Sequence, residues 1–167
     1  MLHKLSLRRG KGRVRILILA LTLAAAAFHY LFQPRYFRRQ QQTDSRCGGI
    51  QGCFAGVVTR VVDGDTLDVN GVRIRLVLVD APERDTPQGP AATAYLRRLC
   101  PVGSTALVDQ DDLQRTDAYG RTLGVIWCGN TRVNEEMIRA GHARLYRRFC
   151  RQSEFGLEPW AMELGCQ

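Results

Sequence analysis

The chain contains no Cys-x-x-Cys pair, and beyond residue 46 a single histidine, His142, remains. A structural zinc site draws on clustered Cys and His at short spacings, so zinc is a weak reading. No internal repeat occurs, which sets aside repeat arrays. A second domain is not expected in this stretch: 167 residues with 45% hydrophobic content suit one domain of ordinary size plus an appendage. The folded part lacks a positive surplus too. The formal charge is +8 and the pI about 9.6, but residues 1–46 hold ten Lys or Arg against one Asp, while residues 47–167 hold fourteen Arg against fifteen acids. The basic pI therefore belongs to the N-terminal appendage and is poor support for polyanion binding by the domain.

That appendage reads as a targeting segment. Lys4, Arg8, Arg9, Lys11, Arg13 and Arg15 precede the apolar run ILILALTLAAAAF from Ile16 to Phe28, which continues less cleanly to Phe32. A positive flank before such a run marks a secretory signal, and Ala25 to Ala27 offer a small-residue cleavage pattern. The run is shorter than the roughly twenty apolar residues of a spanning helix. Arg35, Arg38 and Arg39 are unusual just after a cleavage site, which favours a retained N-terminal hydrophobic helix. Residues 1–32 are thus expected to be a signal anchor or signal peptide. The positive-inside bias places the N-terminus in the cytoplasm and the rest outside, in an extracytoplasmic (periplasmic or secreted) setting, held to the membrane by that helix.

The cysteines agree with export. All six (Cys47, Cys53, Cys100, Cys128, Cys150 and Cys166) follow the apolar run, and an even number in an exported domain suggests disulfides. Fifteen pairings are possible; Cys150 with Cys166 is the one singled out. Residues 33–46, polar and nonperiodic, read as a linker, which leaves 47–167 as the domain.

Within the domain, residues 54–80 alternate as β-structure, with Asn70-Gly71 suited to a two-residue hairpin turn. A helix is expected over 88–99 with Ala91, Ala94, Tyr95 and Leu99 on one face. Strand patterns return at STALVD and TLGVIWC, separated from the next segment by Gly129-Asn130. Asn134 then stands as the cap of a helix, NEEMIRAGHARLY, with acids in its first turn and arginines later. About five short strands with a helix inserted after the third indicate an α+β domain, an OB-fold five-stranded barrel with about three helices.

Three short stretches carry candidate chemistry: VVDGDTL with Asp63 and Asp65, RLVLVDAPE with Arg75, Asp80 and Glu83, and QRTDAYGR with Asp117, Tyr119 and Arg121. Singly, each has a plain explanation as a solvated turn or a surface ion pair, as for Arg73 opposite Asp68. Together they carry more. Gathered acids repel unless a cation sits among them, and a hard cation accepts the oxygens of Asp65, Asp80 and a nearby carbonyl. Two arginines suit a phosphate. Glu83 is then available to orient or deprotonate water.

In this order, flanking a helix inserted in a barrel, DGDT, RLVLVDAPE and QRTDAYGR resemble the staphylococcal nuclease (thermonuclease) family from about Val57 to Tyr146. The resemblance implies an OB-fold endonuclease that hydrolyses phosphodiester bonds of DNA and RNA with calcium (Ca2+). It makes Asp65, Asp80 and the carbonyl of Ala81 the metal ligands, and Arg75 and Arg121 the phosphate clamps. Glu83 becomes the carboxylate that orients the attacking water, with its role as base left open, while Tyr119 and Asp117 lie on the substrate side. Oligomeric state is expected to be monomeric.

Some features depart from that pattern. Ala81 keeps a carbonyl but lacks the hydroxyl of a threonine. A simple two-residue turn at Asn70-Gly71 puts Thr66 opposite Arg75 and sends Asp65 to the other face, so a bulge near Asp65 is expected if the two share a site. The tail lacks a long basic helix, since Gly156 and Pro159 interrupt it, and a disulfide through Cys166 stands in for it. Arg139, Arg144, Arg147, Arg148 and Arg151 offer a local basic face; Tyr119, Tyr146 and Trp160 are aromatics able to stack on bases, with the core reading preferred for Tyr146 and Trp160, and His142 reads as a helix residue. Two other classes stay open: a noncatalytic nucleic-acid or protein binding module of the same fold, and a disulfide-bonded structural protein of the envelope.

Overall fold

Asn70 and Gly71 take positive φ of 49° and 80°, the backbone that a tight mirror-image turn requires. In the computed structural model, which describes residues 45–47 and 52–167, this turn folds β2 (Thr66–Val69) onto β3 (Val72–Leu76) with Thr66 opposite Arg75. The turn and the register are those expected. Alternate residues Leu67, Val69, Ile74 and Leu76 consequently point inward and are buried.

A barrel closes around them. β1 (Cys53–Val61) pairs antiparallel with β2 and with β5 (Thr105–Gln110). β5 pairs antiparallel with β6 (Thr122–Cys128), and β6 runs parallel to β3, completing the five-stranded ring. Closure removes the free strand edges. Three short strands lie outside it: β7 (Thr131–Arg132) extends from β6, and β4 (Val79–Asp80) pairs with β8 (Arg144–Leu145) as a separate ribbon. Among the described residues three α-helices complete the domain: α1 (Gly89–Leu99), α2 (Val133–Arg139) and α3 (Pro159–Leu164). The N-terminal hydrophobic segment, and the linker up to residue 44, fall outside the described residues.

Val58, Val108, Ile126, Leu96 and Met137 join the inward β-residues in one core cluster, each such side chain contributing about 1.5–3 kcal/mol on burial. The face of α1 differs from expectation. Ala92, Thr93 and Leu96 are buried, whereas Ala91 and Ala94 are exposed; Tyr95 and Leu99 pack only at the core's margin. Ala92 wins because its methyl meets Gly64, where no side chain competes.

Two further expectations are corrected on the other side of the barrel. Asn134 is not a cap: Arg132 holds that position, and Asn134, fully buried inside α2, accepts from the Ile126 amide at 3.0 Å and donates to the carbonyls of Val77 at 2.9 Å and Gly124 at 3.2 Å. The bond to Val77 satisfies a carbonyl just past β3 that no strand reaches. His142 lies beyond the end of α2, which stops at Arg139, and stacks on Tyr95 at 4.2 Å.

The three disulfides are Cys47–Cys53, Cys100–Cys128 and Cys150–Cys166, and no described cysteine is free. The pair singled out from the sequence forms, and no thiolate is left for zinc. Cys150–Cys166 fastens α3 into a second cluster in which Phe155 and Trp160 pack on Val77, Leu123 and Val125. Trp160 is a core residue as expected. Arg139 drops out of the basic face, since Glu135 and Glu163 each accept from it at 2.7 Å.

Candidate active site

The site begins where β2 does. Asp63, Gly64 and Asp65 form a bend before the strand, closed by the Asp65 amide donating to Asp63 Oδ1 at 3.0 Å. The Asp65 carbonyl accepts from Leu76 N at 2.8 Å. A Cβ on Gly64 would lie 2.7 Å from the methyls of both Ala81 and Ala92, so glycine is what lets the bend press against the chain after β4. No bulge near Asp65 is needed: the sheet irregularity lies in β1 between Val58 and Arg60, and pairing simply gives way to the bend at Thr66.

Asp65 is buried there, with 6% exposure. Its Oδ2 accepts from Ala81 N at 3.0 Å, and its Oδ1 accepts from Thr66 Oγ1 at 3.1 Å and pairs with the Arg75 guanidinium. Arg75 also donates to the Val79 carbonyl at 3.2 Å. Burial opposes the charge on Arg75, but the attraction of Asp65, Asp63 and Asp80 outweighs it and holds its pKa above the ordinary arginine value. Leu78, with a φ of 61° that a branched side chain seldom adopts, turns the chain between β3 and β4 and so delivers Asp80 and Ala81 beside Asp65.

Arg121 arrives from the loop before β6. Asp117 Oδ1 accepts from the amides of Tyr119 and Arg121, both at 2.9 Å, and its Oδ2 accepts from Arg121 Nε at 2.6 Å. The guanidinium then donates to Thr66 Oγ1 at 3.4 Å. Thr66 thus joins Asp65 and Arg75 to Arg121. Tyr119, 85% exposed, lies against Arg121 with 5.4 Å from its ring to the guanidinium carbon. A cleft of about 290 Å³ is lined by Arg75, Asp117, Tyr119, Arg121 and Tyr146. Tyr146 is therefore only partly buried and faces this cleft, a correction to its reading as a core residue.

Of the residues read from the sequence, the structure brings Asp65, Arg75, Asp117, Tyr119 and Arg121 into one network. Asp80 and Ala81 adjoin it through the Ala81 amide. Glu83 is separate: it sits on the exposed loop after β4, and among the described residues its carboxylate makes no hydrogen bond or ion pair. Its carbonyl, by contrast, is fixed by Thr86 N at 3.0 Å and Thr86 Oγ1 at 2.6 Å, and Gly89 presses so closely on it that a Cβ would overlap. Sequence reasoning missed Thr66 as a site residue, and it named Tyr146 as a base-stacking candidate but preferred the core. Thr66 had a signal in its register opposite Arg75; for Tyr146 the aromatic ring was the signal, but only the β4–β8 pairing aims it at the cleft.

The donors suit a hard divalent cation. Asp65, Asp80 and the Ala81 carbonyl offer oxygen alone, and a carboxylate oxygen that accepts one hydrogen bond retains a lone pair. Asp63 shows the local excess of negative charge: burial first, then repulsion from Asp65, pushes its carboxyl above the ordinary value. A tight group of metal-type ligand atoms elsewhere, at Cys47, Cys53 and Asp109, is no such site, since its two sulfurs form a disulfide.

Comparison with known proteins agrees with this geometry. Residues 73–159 match the family described as Staphylococcal nuclease homologue. An uncharacterized endonuclease of Escherichia coli is 41% identical over 99 residues, covering 56% of this chain and 62% of that protein. A micrococcal nuclease of Shigella flexneri is 35% identical over 107 residues, covering 56% of this chain and 59% of its own. Protein ParB of Escherichia coli is 39% identical over 105 residues, covering 55% and 57%. The chain thus spans about three fifths of the length of these relatives. With just over half its residues inside the family match and a closed barrel carrying the acids and arginines at one end, the chain belongs to the staphylococcal nuclease homologue family.

Proposed function

We propose that this chain is a calcium-dependent nuclease that hydrolyses phosphodiester bonds of DNA or RNA outside the cytoplasm. The observation that carries the reading is the Asp65–Thr66–Arg121 chain with Arg75 on the same carboxylate, which points two guanidiniums at one cleft next to Asp80. Nuclease relatives support the same substrate class.

Arg75 and Arg121 hold the phosphate. Each guanidinium has five N–H donors, and the bonds to Asp65 and Val79, or to Asp117 and Thr66, leave others for phosphate oxygens. Because both are already oriented, they stabilise the growing negative charge on phosphorus without reorganising, the arrangement that supplies most of the rate in such sites. Asp65, Asp80 and the Ala81 carbonyl would hold calcium, whose charge would polarise the phosphoryl oxygen. Glu83, with a fixed backbone and an uncommitted carboxylate, orients the water. Asp117 keeps Arg121 in place, and Tyr119 stacks on the nucleotide.

Three disulfides suit an oxidising compartment and support the extracytoplasmic reading, with residues 1–32 as the membrane anchor and the protein monomeric. The test is incubation of the oxidised protein with labelled single-stranded DNA or RNA, with calcium or with a chelator. Cleavage in calcium alone is expected. Intact substrate under both conditions, from protein shown to be folded, would leave a binding module.

A further inference from the structure

The β4–β8 ribbon has a cleft at each end. Val79 opposite Leu145 lies at the cleft of Tyr119 and Tyr146; the next pair, Asp80 opposite Arg144, opens onto a second cleft of about 690 Å³. That volume lies within the range of small-molecule sites. Its floor is Asp80 and Ala81, so it shares with the site above the two residues that would join Asp65 on a cation. One wall is the approach to α1, including Gln88, and the other is the turn after α2, including His142.

Two features of the second cleft point to an anionic, flat-ringed occupant. Arg144 is exposed and, among the described residues, has no ion pair, although Arg75, Arg121 and Arg139 are all paired. His142 is supported by Tyr95, stacked at 4.2 Å with 27° between the rings, and Tyr95 in turn donates to Glu136 at 2.6 Å. A braced imidazole at a cleft wall is a stacking platform for a base, and a guanidinium without an ion pair, directly across the ribbon from Asp80, is a phosphate partner.

A phosphodiester held by Arg75 and Arg121 has a nucleoside on each side. We infer that the second cleft is the subsite for the nucleotide across the scissile bond from the Tyr119–Tyr146 cleft, with Arg144 holding its distal phosphate and His142 stacking on its base. The assignment rests on the hydrolytic reading above. It makes the ribbon a saddle over which a single strand passes, one nucleotide on either side.

The experiment compares a labelled thymidine oligonucleotide with the two p-nitrophenyl phosphate esters of thymidine, each of which has a nucleoside on one side only. In the full-length oxidised protein, Arg144→Gln is expected to raise the oligonucleotide KM by roughly tenfold, the size of one stacking or charge contact. The ratio of oligonucleotide to ester kcat/KM falls with it. His142→Ala behaves alike, and His142→Phe, which keeps a flat ring, restores most of the loss. Arg97→Gln, on the exposed side of α1, keeps the wild-type ratio. An unchanged oligonucleotide KM in Arg144→Gln overturns the assignment, as does a rise matched by Arg97→Gln or an equal loss on the ester. Wild-type protein that cleaves neither substrate overturns the hydrolytic reading itself, and this one with it.

Discussion

Asp117→Asn separates a residue that touches substrate from one that aims Arg121. The asparagine Oδ1 can still accept from the amides of Tyr119 and Arg121, now at 2.9 Å, so the loop's backbone bonds survive. What changes is the Arg121 Nε contact at 2.6 Å, where an amide N–H would oppose an N–H. A charge-assisted hydrogen bond is worth about 1.5–3 kcal/mol, and solvent screening at a guanidinium with 26% exposure reduces this to about 1–2 kcal/mol. Released from Asp117, Arg121 keeps only the longer bond to Thr66 at 3.4 Å. A displacement of about 1 Å in such a group lowers kcat by up to about a hundredfold, whereas KM should change little. The assay is steady-state oligonucleotide cleavage beside urea unfolding. Acid adds a second readout. Partial burial alone would raise the Asp117 pKa, but the N–H donors of Arg121 and Tyr119 and the guanidinium charge bring it below the ordinary 3.8. Its stabilisation is therefore present above that unfolded value and lost as pH falls through the lower folded one, so the gap between wild type and variant narrows only below about pH 4. A raised KM with intact kcat would refute the positioning role and return Asp117 to direct substrate contact.

Asn134→Ala leaves the buried Ile126 amide and Val77 carbonyl without their partner, while the Gly124 carbonyl keeps the Val77 amide at 3.0 Å, so a loss of about 2 kcal/mol or more is expected in urea unfolding; a loss under 1 kcal/mol would show that water replaces the amide. Gly64→Ala drives a methyl to 2.7 Å from Ala81 and Ala92 and is expected to destabilise by about 1–3 kcal/mol and to weaken calcium binding by calorimetry, with Ala92→Gly restoring part of both. Glu154→Gln raises the Tm at neutral pH, because burial first, and then Asp112, Asp111 and Asp109, push the Glu154 pKa above 4.5. A raised acid destabilises the fold above its folded pKa, so the advantage of the glutamine shrinks as pH falls through that value; a gain that persists in acid would contradict the charge argument.

The barrel was legible because its strands alternate and Asn70-Gly71 sets one register, which put Thr66 opposite Arg75 as built. The site was legible as a set of residue types but not as a geometry. Asp65 looked misfaced because alternation was carried one residue too far; the Asp63 carboxylate, accepting from the amide two residues on, ends the strand instead. The face of α1 was misread among near-identical alanines, where the choice falls to the vacancy above Gly64, roughly 90–100 Å of extended chain away. Asn134 carries the composition of a cap, and only the distant Val77 and Gly124 carbonyls reveal its work as a brace. Trp160 and Tyr146 are both aromatic residues near the C-terminus, yet one is enclosed by α3 and the other turned out by the β4–β8 ribbon.

The most direct measurement is oligonucleotide cleavage at saturating calcium by wild-type protein and Glu83→Gln, both shown to be folded. Glu83 makes no contact that the fold depends on through its carboxylate, so the amide should leave stability and substrate KM near wild type. The account predicts calcium-dependent cleavage whose kcat falls by about a hundredfold or more in the variant. Equal kcat in the two proteins would contradict it and remove Glu83, and the water it orients, from the reaction.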